Sequence, residues 1–206
     1  MHHVDPGDDD DPLAGSGSRH PQVVCSLIII RNRPEYTERS AISSYALFTV
    51  TKIAEREARF AIVHKLWRRA DSRAAIIADI CALIQPETTL LVRHPRLAFR
   101  ALCRSASSGD VLPPNDTQLI LRSVRGLKPM PFTVPDRRLI AAGQQLGLDM
   151  AVRTSTPIKR RRRAPSEAMA LWGLYVSSWC PPAEAQALIA AFRAWQAIER
   201  AKPLPF

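Results

Sequence analysis

The chain has 206 residues, 46% of them hydrophobic and 23% charged, enough for one domain of ordinary composition with a sizeable buried core. Eight glycines, 6% aromatic residues and no self-similar period argue against a barrel or repeat architecture. The formal net charge is +10, and it is unevenly placed: Asp5 and Asp8 to Asp11 fall in the first eleven residues, whereas from residue 20 onward 28 basic residues face 14 acidic ones. An excess of that size predicts an anionic partner, nucleic acid before a membrane surface.

Residues 1–20 (MHHVDPGDDDDPLAGSGSRH) have no apolar periodicity and read as a disordered acidic tail, opposite in character to a signal peptide. His2 and His3 belong to that tail rather than to a metal site, and its sign suits it to folding back over a basic groove. An α/β domain is expected over residues 21–180. It opens on QVVCSLIII, a continuous apolar and β-branched run suited to a central strand covered on both faces. SSYALFTVTKI and RFAIVHKLW follow as strands at hairpin distance, the pair expected to be antiparallel. The period then changes. Asp71 suits the cap of a helix whose Ile76, Ile77, Ile80, Cys81 and Ile84 share one face, and TTLLV is a short fourth strand.

A helix is expected from Pro95, followed by a Gly/Pro loop, and TQLILRSVRGL reads as a fifth strand running into a helix. DRRLIAAGQQLG is a compact helix with a glycine stop. LDMAVRTSTPIKRRRR reads as a basic linker, after which SEAMALWGLYVSSW forms an amphipathic helix. Residues 181–206 hold a second amphipathic helix expected to pack on the domain or on a partner protein. The order predicts an α/β fold of the RNase H-like kind, three layers with a mixed central sheet of three leading strands and then α/β alternation, flanked by helices. A doubly wound dinucleotide-binding sheet needs a helix directly after the first strand and a G-x-G-x-x-G, and neither is present.

Cys25, Cys81, Cys103 and Cys180 are scattered without a C-x-x-C, which suits thiols of a reducing cytoplasm rather than disulfides or a zinc site. The longest apolar run is far too short to cross a bilayer. A cytoplasmic protein with no membrane partner is the expectation.

Three segments, in this order and spacing, resemble the DEDDh 3′–5′ exonuclease family, the proofreading exonucleases of the DNA polymerase III epsilon type. LLVRHPRLAFRAL resembles the family's fourth strand and following helix, apolar–x–His–Asn–x–x–Phe–Asp: His94 stands at the His, Pro95 at the Asn, and Arg100 at the Asp after Phe99. LILRSVRGLKP followed by DRRLIAAGQQLGL resembles the small helix before the catalytic loop. RRAPSEA resembles the last motif, His-Arg-Ala-Leu-x-Asp-Ala, with Arg162 at the catalytic His and Glu167 at the final acid. The family's first strand ends Asp-x-Glu, and here SLIIIRNR has Ile and Arg31 in that place.

The departures bear directly on chemistry. Two-metal hydrolysis needs clustered carboxylates to hold cations about 4 Å apart. It also needs a base to activate water, and a guanidinium is too basic to serve. The resemblance therefore implies the fold and the ligand class of the family with a degenerate site. Glu167 and His94 are its relic candidates, no metal or cofactor is expected, and Mg or Mn enters only if the chain is active.

The basic residues point elsewhere. Lys159, Arg160, Arg161, Arg162 and Arg163 are five consecutive cations that cannot all lie on one packed face, a pattern suited to phosphate binding by a loop. Arg31, Arg93, Arg96 and Arg100 follow the first and fourth strands and are expected at the same end of the sheet, giving a groove for DNA or RNA. Two rival readings remain. One is an active nuclease using displaced acids such as Glu35, Glu38, Asp110, Asp116 or Asp136. The other is a protein-interaction scaffold docking through residues 182–201. Trp172, Tyr175, Trp179 and Trp195 fall at helical spacing and read as core or interface rather than as stacking platforms for bases.

Overall fold

The structure, a computed structural model, describes residues 23–31, 42–54, 57–66, 75, 79–80, 82–84, 88–93, 135–150 and 157–201. Strands β1 (Val23–Arg31), β2 (Ile42–Ala54), β3 (Glu57–Leu66) and β4 (Thr89–Val92) form one mixed sheet in the order β3-β2-β1-β4. β1 and β2 pair antiparallel with Leu27 opposite Leu47, and β2 and β3 pair antiparallel as the hairpin spacing predicts. β4 runs parallel to β1, with Val92 beside Leu27.

Strand alternation sends successive side chains to opposite faces, and both faces of this sheet are covered. Val24, Ile28, Phe48, Val50 and Leu91 belong to one core, together with buried residues of the helices described below. Cys25, Leu27, Tyr45, Leu47 and Leu90 belong to a second core with Ile80 and Ile84. The unbroken apolar run in β1 is thus the mark of a strand lying between two cores. On the second face the Tyr45 hydroxyl donates to the Asp79 carboxylate, which also accepts from the Lys65 ammonium. The described positions from 75 to 83 are helical, as the Asp71-capped pattern predicts.

Further along the described chain come the helices α1 (Asp136–Gln145), α2 (Pro157–Trp179) and α3 (Pro182–Ala201). α1 ends as its glycine predicts. Gly147 has φ +69°, its N–H donates to the Gln144 carbonyl at 2.9 Å, and the Leu148 N–H donates to the Gly143 carbonyl at 2.9 Å. These two bonds satisfy carbonyls that a helix end otherwise leaves open. Arg193 and Arg200 of α3 add donors to the Gln145 and Gly147 carbonyls at 3.0 and 2.9 Å.

α2 departs from the expected boundary. It begins at Pro157 rather than near Ser166, so the basic run is helical and Pro165 lies inside the helix. Ala164, Ala168, Leu171, Trp172 and Val176 form its buried stripe. Phe48 and Phe60 from the sheet meet Trp172 of α2 and Phe192 and Trp195 of α3, with ring centroids 5.4 to 6.2 Å apart. Trp172 and Trp195 are therefore packing residues, whereas Trp179 is 47% exposed. Lys52 of β2 pairs with Glu184 in the first turn of α3 at 2.7 Å, fixing that helix on the domain itself. Among the described residues no helix is long and apolar enough to cross a membrane. The expected tail over residues 1–20, the helix from Pro95 and the fifth strand lie outside the described residues.

Candidate functional site

Glu167 stands in the buried stripe of α2, beside Ala168 and one turn after Ala164, so the helix period carries a carboxylate into the core-facing surface. It is 9% exposed. Arg163, one helical turn earlier, places Nε 2.9 Å from its carboxylate, the i, i+4 geometry of neighbouring side chains. Arg93 reaches it from the sheet. In β4, Leu91 enters the helix-side core and Leu90 and Val92 the other, and Arg93, next in alternation after Leu91, places its guanidinium 3.6 Å from the carboxylate of Glu167. The same guanidinium pairs with Asp136, the first residue of α1. One arginine thus joins the end of β4, the start of α1 and the middle of α2.

The charges of this cluster act against one another. Burial pushes the Glu167 carboxyl up, and the guanidiniums of Arg163, Arg93 and Arg160 oppose that shift without cancelling it. Burial pulls Arg93 down, and Glu167 resists the change while Arg163 adds to it. Arg93 is 17% exposed and Arg163 11%, so neither pair is a weak surface contact, whereas Asp136 is 72% exposed.

On β1, the residues that share the core of Ala164 and Ala168 are Val24 and Ile28, with Ile30 packed against them. Ile28 and Ile30 bring only hydrocarbon to this face. Among the described residues no group of three or more His, Cys, Asp or Glu side chains is placed to hold a metal ion. The arrangement supplies fixed cations around one carboxylate, and that carboxylate has two guanidiniums where a divalent ion would need further acids.

The structure brings Arg93, Arg163 and Glu167 together and adds Asp136, which the sequence offers among the displaced acids. The i, i+4 spacing of Arg163 and Glu167 is the legible signal for half of this cluster. Glu167 lies in the third turn of α2, beyond the turn in which a helix dipole would favour it. Lys159, Arg160 and Arg162 are exposed and Arg161 is half-buried. Arg31 closes β1, whereas the parallel β4 ends at Val92 opposite Leu27, so Arg93 follows a strand that stops level with the middle of β1. The side chain of Arg31, and His94, Arg96 and Arg100, lie outside the described residues. An open cleft of about 240 Å³ between the three helices is lined by Gln145, Gly173, Ser177 and Arg193 and holds none of the predicted residues. The chain matches no family model, no curated protein and no solved structure.

Proposed function

We propose that the chain is a catalytically degenerate, exonuclease-like protein of RNase H-like fold that binds DNA or RNA through the basic start of α2. The sheet order β3-β2-β1-β4, antiparallel for three strands and parallel for the fourth, supports the fold half of this reading. The observation that carries the functional half is the first two turns of α2. Lys159, Arg160 and Arg162 are exposed there, and the first turn has no acidic residue. Cations beside the positive end of a helix are unfavourable by roughly 0.3–1 kcal/mol each at low salt, and a bound anion reverses that sign. Polyphosphate backbones supply such an anion without any need for base readout.

The guanidiniums on Glu167 support the degenerate half. A carboxylate already neutralised by Arg93 and Arg163 has little charge left for a divalent ion, and the β1 residues that share the core of Ala164 and Ala168 are hydrocarbon. The rival nuclease reading draws on Asp136, which shares Arg93 with Glu167.

The test is a salt titration of fluorescence anisotropy with labelled single strands and duplexes of DNA and RNA. Affinity should fall steeply with salt. Replacing Lys159, Arg160 and Arg162 together by Ala should reduce the logarithmic salt slope by about 1 for each phosphate left without its cation. The labelled strand should stay intact with magnesium or manganese present. Shortening of the strand that disappears in Asp136→Asn or Glu167→Gln would install the nuclease reading instead. Absence of binding at low salt would end both.

A further inference from the structure

β3 is the more exposed of the two edge strands of the described sheet. β3 is the terminal strand of the described sheet, pairing with β2 on one side, and runs for ten residues. Most of its side chains are exposed, including Ile62 at 36% and Leu66 at 63%. A long edge of this kind offers a row of backbone donors and acceptors to another strand.

We propose that this edge pairs with β3 of a second copy of the chain, antiparallel and in a register centred on Ala61. The residues of β3 select both occupant and register. About Ala61, Glu57 stands opposite Lys65 of the second copy and Lys65 opposite its Glu57, giving two ion pairs by symmetry. Phe60 stands opposite Ile62 of the second copy, again twice, an aromatic against a β-branched side chain as sheets favour. Arg59 faces Val63. Moving the centre to Ile62 would set Arg59 against Lys65, and moving it to Phe60 would leave Glu57 opposite Val63. Of these three registers, only the one centred on Ala61 matches opposite charges, and it does so along nearly the whole strand. Lys65 already bonds Asp79, and an ammonium has three donors, so it can serve both carboxylates. The result is a continuous sheet running through both copies, with Phe60 of each still in its own aromatic cluster. This pairing does not depend on the nucleic-acid reading.

The test uses the full chain without nucleic acid. Sedimentation at rising concentration should show a monomer–dimer equilibrium. In Ala61→Cys, two thiols meet across the symmetry axis at the roughly 4.5–5.5 Å Cα separation typical of directly opposed residues, within disulfide reach. That variant should form a covalent dimer on mild oxidation. In Arg59→Cys, the two thiols sit roughly 13 Å apart along the strands and should not link. Glu57→Lys should raise the dimer dissociation constant about tenfold, through loss of both ion pairs. All three positions are exposed, and an unchanged circular-dichroism spectrum checks that each variant folds. A chain that stays monomeric throughout overturns the proposal. So does a dimer that Glu57→Lys leaves intact, or one in which both cysteine variants link alike.

Discussion

Glu167 shows how one side chain meets two opposed demands. Its helix position buries it, and burial favours the neutral acid; Arg163, Arg93 and Arg160 favour the carboxylate. The net shift is upward, so the native chain holds this proton to higher pH than the unfolded chain does. Between the ordinary carboxylate value and the raised one, the native state binds more protons, and stability therefore falls as pH rises through that window. Arg163→Met removes the nearer cation and should cost about 3–5 kcal/mol at neutral pH, as breaking buried pairs does. That cost should shrink on acidification, as the carboxyl protonates. Glu167→Gln should remove the pH dependence within the window, and the double variant should recover most of the loss. Chemical denaturation across pH checks all three. If the cost of Arg163→Met proves independent of pH, the carboxylate is not the group that carries it.

At the scale of single elements, stops are easier to read than starts. The glycine ending α1 is legible because few residues other than glycine adopt positive φ without strain, and Gly147 does so at +69°. Gly147→Ala should therefore cost about 1–2 kcal/mol. A lower urea midpoint at unchanged slope would show it. The start of α2 is not legible, for an equally physical reason. An internal proline and a run of cations at a helix N-terminus both oppose a helix locally. Burial of Ala164 and Ala168 against the sheet overrides them, and tertiary packing of that kind leaves no mark on local pattern. The edge strand lies between these cases: its β character is visible in the sequence, its position at the edge is not.

For the molecule as a whole, the apolar run in β1 announces a strand between two cores, and the spacing of β2 and β3 announces their hairpin. The cluster of Arg93, Glu167 and Asp136 cannot be read that way, because its members come from three elements whose approach depends on the assembled sheet. The charge excess is legible as a total. Its division is not: Arg93 and Arg163 turn inward to Glu167, whereas Lys159, Arg160 and Arg162 face solvent. The aromatic rings where α2 and α3 meet β2 and β3 are the apolar counterpart of that cluster. Phe192 is fully buried among them. Phe192→Ala should cost about 3–5 kcal/mol and shift the emission of Trp172 and Trp195 to the red. A thermal melt followed by tryptophan fluorescence measures both effects.

Pro165 gives α2 a mechanical character that its hydrogen bonds alone would not. Proline has no N–H to offer the carbonyl four residues back, so the ladder is missing a rung at Arg161. The turns before it form a short handle, joined to the rest of the rod across that missing rung. Arg163 and Glu167 straddle that joint and clasp it side chain to side chain. Bending α2 at that point would therefore have to part a buried ion pair, which takes the place of the absent backbone bond.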